Sequence, residues 1–183
     1  MNNPNDRPPS ARNALVIVNT GDGKGKTTAA LGLLMRAAGR GMRVCMIQFL
    51  KSKRGKWGET RAAQKLGFEW YQMGDGFTWE SKDPDDTRAK ARLAWEFAQE
   101  KIQSGGHDLI VLDEFTYLLS FGWLDPTAVI DWLKLHRPAG LHLVITGRGA
   151  PPELIEYADL VTEMKAVKHP FEKGIKAQAG IEF

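Results

Sequence analysis

The chain has 183 residues, 43% hydrophobic and 26% charged, which suits one domain with a full hydrophobic core. A net charge of +3 is too weak to imply a nucleic-acid or membrane-surface partner, and no apolar run reaches the ~18 residues needed to span a bilayer. One cysteine, Cys45, excludes an internal disulfide, and the Asn- and Pro-rich start is no secretory signal, so a cytoplasmic location is expected by elimination.

The first dozen residues are rich in Pro, Asn and charge, and residues 1–13 are expected to form a flexible segment ahead of a single domain over 14–183. Ala14–Asn19 is a β-branched run that reads as a buried strand. A glycine-rich turn follows, and then Thr27–Arg40, rich in Ala and Leu, reads as a helix ending near Gly39 and Gly41. Arg43–Phe49 is a second strand, with Cys45 expected as a core thiol. Lys51–Gly58 is a basic loop, most simply a solvated one. Glu59–Leu66 predicts a short helix and Phe68–Met73 a third strand. Gly74-Asp75-Gly76 then breaks the chain before Phe77-Thr78-Trp79. Pro84–Gln103 is a long amphipathic helix whose apolar positions are Ala91, Leu93, Ala94, Trp95, Phe97, Ala98 and Ile102. Asp108–Asp113 is a fourth strand. Thr127–Leu135 is a helix with Asp125 as its cap and Pro126 near its start. Leu141–Ile145 is a fifth strand, Pro151–Ala158 a short helix and Leu160–Met164 a sixth strand. Lys165–Phe183 mixes charge and glycine and shows no clear periodicity. Strands alternating with helices imply an α/β fold: a mostly parallel six-stranded sheet with helices on both faces.

The strongest motif is Thr20-Gly21-Asp22-Gly23-Lys24-Gly25-Lys26-Thr27-Thr28, set between a buried strand and a helix. Glycines let successive N–H groups turn inward, and those groups with the helix N-terminus cradle phosphate oxygens. Lys26 adds positive charge, and the Thr27 hydroxyl suits Mg²⁺. The match to G-x-x-x-x-G-K-[ST] is incomplete, because Thr20 stands at the first glycine position. A glycine-rich turn without a ligand is the plainer alternative, outweighed by the order strand, turn, Gly-Lys-Thr-Thr, helix.

Leu109–Leu112 is an apolar run that ends in Asp113 and Glu114. Ligands of parallel α/β sheets sit beyond the carboxyl ends of the strands, so these two acids are expected near the phosphate loop, one of them holding Mg²⁺ directly or through water. A solvated strand end is the simpler alternative, and Asp108 reads as a cap or turn residue. His107, His136, His142 and His169 have no metal-ligand spacing. Trp70, Trp95, Trp123 and Trp132 read as core. These motifs alone allow a kinase, a motor-type ATPase, a nucleotidyl-group transferase or a recombinase-like module that grips nucleic acid. The last is disfavoured by the weak charge and the lack of interleaved basic and aromatic residues.

From Ala14 to Phe183 the chain resembles the bacterial corrinoid adenosyltransferases of the homodimeric phosphate-loop type. The resemblance rests on the variant loop Thr20–Thr28, Gln48-Phe49-Leu50-Lys51, Gly58-Glu59, Phe77-Thr78-Trp79, Val111–Glu114, Thr146-Gly147-Arg148-Gly149, Ala158–Met164 and the tail from Lys168-His169-Pro170 to Phe183. It implies a P-loop NTPase fold of the RecA-like kind. It also implies transfer of the 5′-deoxyadenosyl group of ATP to Co(I) of a corrinoid in cobalamin biosynthesis or salvage, with release of triphosphate and formation of adenosylcobalamin or adenosylcobinamide. The alternative is a phosphate-loop ATPase or phosphotransferase that cleaves the β–γ bond.

Carried over residue by residue, the resemblance implies ATP binding by Gly21, Asp22, Gly23, Lys24, Gly25, Lys26, Thr27 and Thr28, with Lys26 central. It implies Mg²⁺ (or Mn²⁺) on Thr27 and Glu114 with Asp113 nearby. Arg148 reaches a phosphate in this reading, or is a surface arginine in a turn. Phe77 and Trp79 would fold against the lower face of the corrin ring, displacing the axial base and easing reduction to Co(I); capping the core is their plainer role. Lys26, Glu114, Phe77 and Trp79 are thus the candidate catalytic residues. The resemblance further implies a homodimer whose N-terminal segment covers the partner's active site, and a flavoprotein reductant as a candidate partner. Neither a nucleic-acid nor a membrane partner is expected.

Overall fold

The computed structural model describes residues 14–52, 58–74 and 84–181. The N-terminal segment, Trp57 with Lys53, Arg54 and Lys56 of the basic loop, and Phe77 with Trp79 lie outside the described residues.

Among the described residues, six strands and six α-helices follow one another as β1 (Val16–Thr20), α1 (Lys26–Ala38), β2 (Val44–Ser52), α2 (Gly58–Leu66), β3 (Glu69–Gly74), α3 (Pro84–Gln103), β4 (Leu109–Asp113), α4 (Thr116–Ser120), α5 (Pro126–His136), β5 (His142–Thr146), α6 (Pro152–Tyr157) and β6 (Leu160–Glu163). The sheet order is β3-β2-β4-β5-β1-β6, and every pairing is parallel. The elements expected from sequence form, α3 with the expected bounds and the others with boundaries shifted by at most three residues. β2 runs further than its apolar run, through Lys51 and Ser52, because it pairs with β3 as far as Ser52 opposite Gly74. The short helix α4 has no counterpart among the sequence-based expectations; five residues span too little chain to show a helical period.

Alternation along the strands divides the core in two. Ile17, Val44, Met46, Leu109, Val111 and Val144 point to one face, where α1 covers them with Ala30, Leu34 and Ala37. Val16, Val18, Cys45, Ile47, Ile110, Leu112, Leu143 and Ile145 point to the other face. There they meet Ala91, Ala94, Trp95, Ala98 and Ile102 of α3, Leu118 of α4, Ile130 and Leu133 of α5 and Leu154 of α6. The stripe on α3 is thus narrower than its apolar residues suggest, and Leu93, expected on it, is 62% exposed. Trp95 belongs to this core, with Trp123 and Trp132 packed partly buried against it; Trp70 borders the opposite cluster. Cys45 is fully buried, and burial pushes its thiol up to about 12. Asp125 caps α5 as expected, accepting from Ala128 N at 2.8 Å. Asp108 closes the turn before β4, accepting from Arg43 N at 2.9 Å and pairing with the Arg43 guanidinium at 3.1 Å.

After β6 the chain leaves the core. A 3₁₀ turn forms at Pro170–Lys173, and Val167, Phe171 and Ile181 stay exposed. No helix among the described residues is long and apolar enough to cross a membrane.

β6 is an edge strand held to β1 by reciprocal bonds at its start. Val16 N donates to Asp159 Oδ2 at 2.7 Å, and Asp159 N donates to Val16 O at 2.9 Å. Asp159→Ala removes the carboxylate acceptor of a part-buried bond whose donor, Val16 N, lies on a buried residue. It is expected to cost about 1 kcal/mol, or ~2–4 °C in Tm, in thermal unfolding followed by circular dichroism.

Candidate active site

The carboxyl ends of the central strands carry a row of polar residues set by register. Gln72 of β3 lies opposite Gln48 of β2, and Gln48 lies opposite Asp113 of β4. Thr146 ends β5 opposite Asn19 of β1. Gln48, Asp113 and Thr146 are fully buried, and Asn19 nearly so. Such a row is costly to bury unless it is hydrogen-bonded.

Asp113 gathers these bonds. Its Oδ1 accepts from Thr27 Oγ1 at 2.9 Å and from Thr146 Oγ1 at 2.7 Å, and its Oδ2 accepts from Gln48 Nε2 at 2.9 Å. The Thr146 hydroxyl in turn accepts from Glu114 N at 3.0 Å. Glu114 has φ 61°, the left-handed conformation, and among the described residues it is the non-glycine residue with positive φ. That conformation costs roughly 1–2 kcal/mol for a residue with a Cβ. It turns the chain sharply at the strand end, out of the extended path in which Glu114 would simply continue β4.

The phosphate loop runs from β1 into α1. Gly25, at the N-cap of α1, has φ 113°, and no side chain caps the helix, so its first N–H groups stay available to an anion. Lys26 is buried and folds over the loop, donating from Nζ to Gly21 O at 2.7 Å and Gly23 O at 2.8 Å. Burial lowers its pKa; the Glu114 carboxylate opposes that shift and Arg148 adds to it. Asp22, Lys24 and Thr28 are exposed around the loop.

The expectation that successive loop N–H groups all turn toward a ligand needs correction. Gly23 N donates to Met164 O at 2.6 Å, and Met164 N donates to Thr20 O at 2.8 Å, so the segment after β6 buttresses the loop from behind. A Cβ on Gly21 would stand 2.5 Å from Met164 O, and one on Gly23 would stand 2.7 Å from the Lys165 carbonyl carbon. Glycine is required at both positions by this close backbone approach as well as by loop curvature. The hydroxyl of Thr20, at the first glycine position, accepts from Ala150 N at 3.2 Å and so ties the loop to the turn after β5.

That turn carries Arg148. Gly147 has φ 139°, and a Cβ there would run into Thr116 Oγ1; the same hydroxyl donates to Arg148 O at 2.6 Å. The arginine is exposed, and its charge acts on both Lys26 and Tyr117. Tyr117, on α4, is half-buried beside the loop; burial and the Glu114 carboxylate raise its pKa, and Arg148 opposes them.

Of the residues singled out from sequence, Gly21 to Thr28, Asp113, Glu114 and Arg148 therefore lie together at one end of the sheet, while Phe77 and Trp79 fall outside the described residues. Three participants have no role assigned from sequence: Gln48, Thr146 and Tyr117. A glutamine interrupting the apolar run Val44–Leu50 is the available signal for the first. At the amino end of the sheet, Cys45, Glu69 and His107 come within 4.8 Å of one another through their potential ligand atoms, which sequence spacing does not show. The Lys101 ammonium stands 3.1 Å from Glu69 Oε2 there and supplies the positive charge that a cation would bring.

Comparison with known proteins places this geometry. Residues 12–183 match the model of the family described as ATP:corrinoid adenosyltransferase BtuR/CobO/CobP. The chain is 44% identical over 172 residues to a corrinoid adenosyltransferase of Sinorhizobium sp, covering 92% of this chain and 80% of that protein. Identity to the corrinoid adenosyltransferase of Pseudomonas aeruginosa is 43% over 171 residues, covering 92% of this chain and 83% of the relative. The enzyme of the same name from Escherichia coli (strain K12) is 39% identical over 171 residues, covering 92% and 85%. With the match spanning nearly the whole chain and including the phosphate loop, the strand-end acids and the Arg148 turn, the chain belongs to the ATP:corrinoid adenosyltransferase family.

Proposed function

We propose that this chain transfers the 5′-deoxyadenosyl group of ATP to the Co(I) centre of a corrinoid substrate and releases triphosphate, giving adenosylcobalamin or adenosylcobinamide. The observation that carries the reading is the juxtaposition of Lys26, Thr27, Asp113, Glu114 and Arg148 at the carboxyl end of the sheet in a member of this family. Reduced cobalt is the nucleophile and C5′ the electrophile, so the protein needs no nucleophile of its own. Its work is to hold the two substrates in line and to stabilise the charge that builds on the leaving triphosphate.

Lys26 serves that charge. Its ammonium, held by the Gly21 and Gly23 carbonyls, exchanges those partners for phosphate oxygens when ATP enters. Burial strengthens the interaction because little water screens it. The remaining loop residues, Gly21 to Thr28, line the triphosphate, and Arg148 closes on it from the turn after β5. Thr27, Asp113 and Glu114 offer only hard oxygen donors, which suits Mg²⁺ or Mn²⁺. When bound, that ion neutralises triphosphate charge. Asp113 holds the Thr27 hydroxyl proton and so leaves the hydroxyl oxygen's lone pairs directed away from the carboxylate.

Phe77 and Trp79 complete the reading as the apolar cover of the lower corrin face, where they exclude water and the axial base. The segment over 1–13 is assigned to the partner's active site in a cytoplasmic homodimer, residues 14–183 to one catalytic domain, and a flavoprotein to the supply of electrons.

The reaction is tested anaerobically with MgATP and chemically reduced cob(I)alamin. Loss of the Co(I) spectrum, a light-sensitive alkylcobalamin and inorganic triphosphate are expected. ADP and phosphate with an unchanged corrinoid would instead establish an ATPase or phosphotransferase. Lys26→Met is expected to slow transfer by roughly 10²–10³-fold, the usual loss when one preorganised electrostatic group is removed, with Tm little changed. Phe77→Ala and Trp79→Ala are expected to act mainly on reduction. Turnover from Co(II) with a reductant should fall at least about tenfold, the equivalent of ~1.4 kcal/mol, while turnover from pre-reduced Co(I) falls far less.

A further inference from the structure

We infer that Gln48 is a positioning residue of the nucleotide–metal site, acting on Thr27 through the Asp113 carboxylate. The inference rests on the reading of Thr27 and Asp113 given above and extends it to a residue that touches neither ATP nor metal.

Gln48 interrupts the apolar run of β2, between Ile47 and Phe49, and is fully buried. A buried amide must satisfy a donor side and an acceptor side. Its Oε1 accepts from Trp70 Nε1 at 3.1 Å and from Gln72 Nε2 at 3.3 Å. These two donors fix the orientation of the amide. Rotated by half a turn, its oxygen would face the Asp113 carboxylate and its NH₂ group would face two N–H donors. In the orientation observed, Nε2 is delivered to Asp113 Oδ2 at 2.9 Å.

The two oxygens of Asp113 are thereby held differently. Two hydroxyls, of Thr27 and Thr146, converge on Oδ1, while the Gln48 amide holds Oδ2. An acceptor site with donors on one oxygen alone could pivot about the Cβ–Cγ bond and carry Oδ1 away from Thr27. The Gln48 bond blocks that pivot. A methionine or leucine would fill the same volume in an apolar strand without the desolvation cost of an amide, so packing gives no reason for glutamine here. The relay from Trp70 and Gln72 through Gln48 and Asp113 to Thr27 joins the edge strand β3 to the first turn of α1.

The test is calorimetric titration of ATP into the full chain, with saturating Mg²⁺ and with EDTA, for wild type, Gln48→Met, Thr27→Ala and the double variant. Gln48→Met is expected to weaken Mg²⁺-dependent ATP affinity about tenfold, the equivalent of one hydrogen bond to a charged group, and to leave metal-free affinity within about twofold. Because Gln48 acts through Thr27, the double variant should bind no more weakly than Thr27→Ala alone. Equal weakening with and without Mg²⁺, or fully additive losses, would overturn the inference and leave Gln48 a structural residue. Wild-type affinity that ignores Mg²⁺ would overturn both the inference and the metal reading beneath it. Should Gln48→Met fail to fold, Trp70→Phe removes one of the two orienting donors. It is expected to shift Mg²⁺-dependent affinity about threefold in the same direction, and no selective shift there counts against the relay.

Discussion

The buried carboxylate of Asp113 is the constraint around which this end of the molecule is organised. A negative charge placed at the carboxyl end of a central strand, away from water, is tolerable only with donors on both oxygens. Those donors come from β2, from β5 and from the first turn of α1. One carboxylate therefore fixes three neighbours relative to β4, and through Thr146 it also fixes the backbone of Glu114 in its left-handed turn. The parallel order β2-β4-β5-β1 brings these groups into one row because register partners in a parallel sheet share a level.

A second constraint acts on the opposite side of the loop. The segment leaving β6 passes so close to Gly21 and Gly23 that no side chain fits between them. The phosphate loop is thus clamped between the polar row and Met164–Lys165, and Lys26 stitches its carbonyls together from within. A loop held this way keeps its shape before any nucleotide arrives. Preorganisation is what electrostatic stabilisation of a leaving triphosphate requires, since dipoles already in place need not reorganise as charge develops. In an enzyme whose nucleophile belongs to the substrate, this rigidity together with exclusion of water is most of what a protein can supply.

Much of this is legible in the sequence. The alternation of apolar strands with amphipathic helices gives the α/β class, and the strand–Gly-rich turn–Gly-Lys-Thr-Thr–helix order locates a phosphate site, because curvature, N–H supply and positive charge are all encoded within nine adjacent residues. Asp113 and Glu114 are equally visible, as acids ending an apolar run. Family membership follows from short motifs spread along the whole chain.

What lies beyond the sequence is long-range. Gln48 and Asp113 are 65 residues apart and Thr27 and Asp113 are 86 apart, so neither bond has a local signature. From sequence, glycine at 21 and 23 answers to loop curvature alone; the structure adds the backbone of residues 164 and 165. Thr20 is a departure from a motif in the sequence and an anchor in the fold, with Ala150 N on its hydroxyl. The sequence by itself determined which residues have the chemistry for phosphate and for a hard cation, since those properties belong to the side chains and their immediate spacing. Only the tertiary structure decided which partners hold them in place, because strand order and register bring together groups that the chain keeps far apart.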